Sequence, residues 1–135
     1  PKYSFAPIDI YKFFSKKITN LIEAGVKKSN IAIDPGIGFG KNLSDNLNIL
    51  KYLPLFHGLG VPILIGASRK SLIGELTIDD YKLRGKNKKK INPTKRLSGS
   101  LAFAIHASMC GVQILRTHDV FETNQALICQ KALNL

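Results

Sequence analysis

Three apolar runs, Ile31-Ala-Ile33, Val61-Pro-Ile-Leu-Ile65 and Val112-Gln-Ile-Leu115, each empty into a polar loop that carries charge. Helical patterns lie between them. Ile8, Tyr11, Phe14, Ile18, Leu21 and Ile22 recur at helical spacing before a stop at Gly25. Ser44 offers an N-cap to a second helix with Leu47, Leu50 and Leu53 on one face. Pro54 falls in that helix's last turns, where a straight helix would lose about 3 kcal/mol or kink. Ser68 to Ile73 begins a short helical turn, Leu97 to Met109 reads as a well-buried helix ended by Gly111, and Val120 to Leu133 as a last helix. The order is α-β-α-β-α-β-α, which requires parallel strands joined by helical crossovers.

Parallel strands place their carboxyl ends on one side, where α/β barrels assemble active sites from several strand ends. A complete (β/α)8 barrel takes about 250 residues. The 135 residues here supply about three strands and four helices, a half barrel at most. The fold class expected is α/β of the TIM type, with residues 1–135 as one carboxyl-terminal part of a barrel domain. A three-stranded open sheet is the alternative, with apolar, unprotected edges. The chain begins with Pro1, so the expectation is an excerpt whose upstream part is absent.

The formal charge of +11 is unevenly spread. Eight of the 20 Lys and Arg lie between Lys82 and Arg96, a segment read as a basic surface loop at about 80–95. Apolar and charged fractions of 44% and 21% are those of an ordinary globular protein. No apolar run approaches the ~20 residues of a membrane helix, and no signal peptide is visible, so a cytoplasmic location is expected. Cys110 and Cys129 fall in segments read as buried helix and are expected to be free thiols. No Cys/His spacing of a zinc site occurs.

The first loop is Asp34-Pro-Gly-Ile-Gly-Phe-Gly-Lys41. Asp34 is suited to accept paired N–H donors from a heterocycle if it is partly desolvated; the other reading is a turn aspartate. Phe39 is either a packing plug or a stacking ring. A nucleotide P-loop is excluded, because Pro35 and Asn42 stand where a glycine and a hydroxyl are required. In the second loop, Lys70 can donate to a carbonyl or ring nitrogen. Arg69 can fork onto an anion or a carboxylate, and Ser71 can meet an anion at a helix start. In the third, Arg116 and His118 point the same way on an extended strand end and suit an anionic leaving group. Asp119 is an N-cap or a partner to Arg116. His57 and His106 carry no functional claim. Together the loops suit a polar heterocycle bearing an anionic leaving group, with catalysis by positioning and charge stabilisation.

At these residues the chain resembles the dihydropteroate synthase family. The matching strings are Asp34-Pro-Gly-Ile-Gly-Phe-Gly-Lys-Asn42, Ser68-Arg-Lys-Ser-Leu-Ile-Gly74, Arg96-Leu-Ser-Gly-Ser-Leu-Ala102 and Arg116-Thr-His-Asp-Val120, in the family's order. The resemblance implies a transferase of folate biosynthesis that condenses 6-hydroxymethyl-7,8-dihydropterin diphosphate with p-aminobenzoate. It implies that Asp34 holds the pterin's amino-pyrimidine edge and that Lys70 contacts the pterin beside the aminobenzoate. Phe39 and Ser71 would shape the aminobenzoate pocket, with Gly38 among the substrate-binding residues. Arg116 and His118 would bind the diphosphate, and with Lys70 they form the implied catalytic set. Mg2+ is implied as cofactor, its ligand in the missing amino-terminal part and none in this chain; a homodimer is implied for the complete protein. Alternatives are an inactive remnant or pterin-binding half barrel, a related methyl-transferring pterin barrel, and a nucleic-acid-binding protein working through the basic loop.

Overall fold

Parallel pairing begins at one residue and ends at two. In the computed structural model, which describes residues 2–85 and 90–134, Ile33 bridges Ile63, and β1 (Leu64–Ile65) pairs with β2 (Ile114–Leu115) in register Leu64 with Ile114. Ile33 N–H donates to Pro62 O at 2.9 Å and Leu64 N–H to Ile33 O at 2.8 Å. On the other side Ile114 N–H donates to Ile63 O at 3.1 Å and Arg116 N–H to Ile65 O at 2.9 Å. The three segments therefore lie side by side in chain order, and Asp34, Gly66 and Arg116 follow their carboxyl ends on one side. The expected parallel α/β arrangement is present. The runs expected as full strands pair over one or two residues only, and Ile31-Ala-Ile33 reduces to a bridge. Gln113 Oε1 accepts from Ile63 N–H at 2.9 Å, a side chain standing in for a ladder carbonyl.

Helix α1 (Ala6–Glu23) starts with Pro7 in its first turn, where a missing N–H costs nothing. The Asp9 carboxylate accepts from the N–H groups of Ser4 (2.8 Å) and Phe5 (3.2 Å). The helix ends at Gly25, whose φ of +98° turns the chain as Gly25 N–H meets Ile22 O. Helix α2 (Leu43–Lys51) is capped by Asn42 rather than Ser44, in a reciprocal box with Asp45. It stops before Pro54, which sits in the first turn of a 3-10 helix (Leu53–Leu59), so the expected kink does not arise. Ile49, Leu53, Phe56, Ile63, Ile65 and Leu72 form the fully buried centre of the core.

Five α-helices form where four were expected. The turn expected at 68–73 is instead α3 (Ser71–Leu83), which buries Leu72, Ile73 and Gly74 in its first turn and is mostly polar beyond. Its length takes residues 80–83 out of the expected basic loop, while residues 86–89 of that loop lie outside the described residues. Helix α4 (Leu97–Met109) was expected to be well buried, yet only Ser100 and Ala107 are. A helix apolar on every side needs cover all round, and the described sheet covers one side. Helix α5 (Val120–Leu133) likewise leaves Phe121 and Ile128 in the open, and Cys129 is exposed rather than buried. Both cysteines are free. Among the described residues no helix is long and apolar enough to cross a membrane.

Candidate active site

The first loop is shaped by glycines in the left-handed region: Gly36, Gly38 and Gly40 have φ of +74°, +90° and +63°. Asp34 Oδ1 accepts from Gly36 N–H at 2.8 Å, as a turn aspartate does. Lys41 closes the loop by donating through Nζ to Gly36 O (2.7 Å) and Phe39 O (3.2 Å). Buried Asn46 of α2 holds Gly38 N–H through Oδ1 at 2.9 Å. Asp34 is exposed, not partly desolvated as the heterocycle reading required. Phe39 is 63% exposed, which excludes a packing plug.

The second loop turns at Arg69, the one non-glycine among the described residues with positive φ, at +56°. A side chain there costs on the order of 1–2 kcal/mol, and neighbours over-determine the conformation. Arg69 N–H donates to Ser100 Oγ (2.8 Å), and Arg69 O accepts from Arg96 Nη1 (2.7 Å). The Arg69 guanidinium forks onto Asp119 through Nε (3.2 Å) and Nη2 (2.8 Å). Asp119 is therefore the partner of Arg69 rather than of Arg116, and its side chain does not cap α5. The Arg69 hydrogen bond holds the Asp119 carboxyl below its ordinary range. Arg96, buried, also donates through Nη2 to Ile91 O at 2.7 Å, tying down the chain after the basic segment.

The clip of the second loop to α4 and to Asp119 sends Lys70 back toward the first loop. Its Nζ lies 4.3 Å from the centroid of the Phe39 ring, within cation–π range. Lys70, Arg116 and His118, the implied catalytic set, line one cavity of about 460 Å³ with Gly66, Ser68 and Thr117. Burial, then the charge of Arg116, lowers the Lys70 ammonium from its ordinary value, against the opposing pull of Asp34. Burial likewise lowers Lys41, with Lys70 adding to the effect and Asp34 and Asp45 opposing it. Arg116 reaches the cavity across Gly66, where an added Cβ would stand 2.9 Å from its Nη2. The two ion pairs among the described residues, Arg69–Asp119 and Arg84–Asp80, leave Lys70 and Arg116 out. An anion is what such a pair of cations lacks.

Asp34 and Phe39 line a second cavity of about 500 Å³ with Lys41, Tyr3, Phe13 and Phe14. Lys70 over Phe39 is the link between the two. Gly38 belongs to the same junction, since an added Cβ there would stand 3.4 Å from Cδ of Lys70. Ser71 is not in either: it is the exposed first residue of α3 and faces a third cavity, with Glu75, Lys90 and Arg96. His57 and His106 are structural, bonded through Nε2 to Cys110 O (2.7 Å) and Leu50 O (2.6 Å). Asn46 supports the site from outside the matching strings, while Lys41, Ser68, Arg96 and Ser100 lie within them but had no role assigned. A hydroxyl or amide just beyond a strand end was the available signal for Ser68, but no sequence pattern names its partner.

With this geometry described, the similarities to known proteins are specific. The sequence pattern of the pterin binding enzyme family matches residues 5–118. Dihydropteroate synthase of Escherichia coli (strain K12) is 42% identical over 127 residues, covering 94% of this chain and 41% of that protein. The dihydropteroate synthase of Neisseria meningitidis serogroup C is 37% identical over 137 residues, covering 100% of this chain and 44% of that protein. The solved structure of Xanthomonas albilineans dihydropteroate synthase with 4-aminobenzoic acid matches with a TM-score of 0.87 at 38% identity, covering 99% of this chain and 45% of that one. The same enzyme in complex with 7,8-dihydropteroate matches with a TM-score of 0.87, covering 99% of this chain and 47% of that one. This chain thus spans a little under half the length of these relatives. Since the matched residues take in all three strand-end loops, from Asp34 through Lys70 to His118, the chain belongs to the pterin binding enzyme family.

Proposed function

We propose that the chain carries the pterin- and diphosphate-binding strand ends of a dihydropteroate synthase on a (β/α)8 barrel. The observation that carries this reading is the convergence of Lys70, Arg116 and His118 on one cavity, from two neighbouring strand ends. Its substrates would be 6-hydroxymethyl-7,8-dihydropterin diphosphate and p-aminobenzoate. Asp34 would accept two N–H donors from the amino-pyrimidine edge. Arg116 and His118 would hold the diphosphate and draw off charge as the methylene carbon–oxygen bond breaks, with Lys70 contacting the pterin beside them. The arylamine nitrogen then forms its bond to that carbon and gives up a proton, leaving 7,8-dihydropteroate and diphosphate. Phe39 and Lys70 would flank the aminobenzoate. Ser71 would meet the carboxylate at the start of α3, where unpaired N–H groups favour an anion.

Magnesium would assist departure of the diphosphate in a complete synthase. Among the described residues no three His, Cys, Asp or Glu side chains gather to hold a metal ion. The described residues therefore do not fit a metal site by themselves. A cytoplasmic location belongs to the same reading. A homodimer belongs to the same reading; Met109, Phe121 and Ile128 are open apolar side chains that a second copy or further barrel elements would cover. The test is dihydropteroate formation by the protein isolated from its source, with Lys70→Ala beside it. Turnover should fall at least tenfold, the loss of one charge-stabilising contact, with the thermal midpoint unchanged. Loss of folding in step with turnover would make Lys70 a structural lysine instead.

A further inference from the structure

We propose that Ser68 is a positioning residue that fixes the tautomer of His118, so that the ring presents Nε2–H to the cavity it shares with Lys70 and Arg116. Ser68 is the third residue past β1, and His118 the third past β2. Their side chains meet across the two strand ends, with Ser68 Oγ 2.9 Å from His118 Nδ1. The same Oγ accepts from the backbone N–H of His118 at 3.1 Å. Thr117 Oγ1 lies 3.4 Å away as a further donor.

A serine hydroxyl has one proton to give and two lone pairs. The His118 backbone N–H can only donate, so it takes one lone pair. Ser68 is 9% exposed and lines the cavity, so its hydroxyl proton can go to water or to the protein, and a fixed acceptor at short range has the stronger claim. Thr117 Oγ1 is a poor one at 3.4 Å, beyond the usual hydroxyl range of about 2.5–3.0 Å. It is also engaged elsewhere: it accepts from Asp119 N–H (3.1 Å) and is bonded to buried Thr123 Oγ1 (3.1 Å). Nδ1, at 2.9 Å, is the acceptor that remains. An imidazole whose Nδ1 accepts carries its proton on Nε2 when neutral.

The consequence is a matter of sign. With Nε2 protonated, His118 offers a donor to an anion between Lys70 and Arg116. With the proton on Nδ1, a lone pair would face that anion and repel it. Resting on the diphosphate reading of the same cavity, Ser68 thus makes His118 an anion donor without touching the anion. Removing the hydroxyl leaves Nδ1 to water and allows both tautomers.

The experiment is nitrogen-15 NMR of the protein as it occurs in its source, labelled at histidine, at pH about 8.5, where an ordinary imidazole is neutral. The His118 signals are assigned as those lost in His118→Gln. In the wild type only Nε2 should be protonated; Ser68→Ala should give a tautomer mixture, and Ser68→Thr should restore the single form. A wild-type ring protonated at Nδ1, or a Ser68→Ala spectrum identical to wild type, would overturn the proposal. Titration with inorganic pyrophosphate tests the reading beneath it. Ser68→Ala should weaken binding about threefold to tenfold, the value of one ordinary hydrogen bond. A wild-type chain that fails to bind pyrophosphate while showing the Nε2–H tautomer would contradict the diphosphate reading and leave the role of Ser68 standing.

Discussion

Lys70 Nζ stands 4.3 Å from the centre of the Phe39 ring, so a cation from one strand end is seated on an aromatic from the next. The contact joins the loop that carries Asp34 to the cavity that carries Arg116 and His118. Because Phe39 is 63% exposed, the pairing is a surface one, worth about 0.5–1 kcal/mol. Phe39→Leu should therefore change the unfolding free energy in urea by no more than about 1 kcal/mol. A p-aminobenzoate titration of the complete protein should weaken far more than that. Equal losses in both would make Phe39 a packing residue.

Gly66 is required by what crosses it. A Cβ at this position would stand 2.9 Å from Nη2 of Arg116, at the tip of a flexible side chain that can move away. Gly66→Ala should therefore fold, displace the guanidinium, and weaken pyrophosphate binding by about tenfold, the worth of a charge-assisted hydrogen bond. Calorimetric titration beside Arg116→Ala checks this, and the double variant should add little to either single one. Full additivity would show that Gly66 and Arg116 act independently.

Arg96 holds the second loop from behind, with Nη1 on Arg69 O and Nη2 on Ile91 O, both at 2.7 Å. Arg96→Met fills similar space but frees the buried Ile91 carbonyl and the half-buried Arg69 carbonyl. It should cost about 3–6 kcal/mol, as two hydrogen bonds from a charged group are lost. Arg96→Lys should recover only part, since an ammonium cannot span both acceptors in the guanidinium's fixed fork. Thermal midpoints of the three proteins decide the matter.

The Arg69–Asp119 pair makes one element of stability depend on pH. Its hydrogen bond lowers the Asp119 carboxyl in the folded chain relative to an unfolded one. A lowered carboxyl contributes stability above the ordinary carboxylate value of about 3.9, and that contribution is lost as pH falls through the folded-state value. Urea unfolding followed from pH 7 downward should show a steeper loss of stability in wild type than in Asp119→Asn in the acid range. Identical slopes would mean the pair is silent.

The sequence made the parallel α/β order legible because each apolar run is followed by a charged loop and a helical repeat. Strand ends in a parallel sheet share a side, which made Asp34, Phe39, Arg69, Lys70, Arg116 and His118 legible as neighbours; Lys70, Arg116 and His118 stood out as one set through the family resemblance. Asp34 was legible as either a ligand or a turn residue, and its bond to Gly36 N–H is the turn geometry. What stayed hidden depends on neighbours far along the chain. Ser68 meets His118 across 50 residues, and Arg69 meets Asp119 across 50 as well. The length of α3 was hidden because Gly74 interrupts its apolar start; the chain tolerates that glycine where Arg96 lies against it, 3.4 Å from an added Cβ. The exposure of α4 and α5 could not be read from composition, because apolar residues on every side of a helix say only that cover is needed.

The most direct test of the site is calorimetric titration of the wild-type chain, Asp34→Asn and Arg116→Ala with 6-hydroxymethyl-7,8-dihydropterin diphosphate. Asp34 and Arg116 follow different strand ends and should grip opposite ends of that molecule. Each substitution should weaken binding by about tenfold or more, and pyrophosphate alone should feel only Arg116→Ala. Unchanged affinity in both variants, or an Asp34→Asn effect on pyrophosphate as large as on the pterin diphosphate, would contradict the assignment.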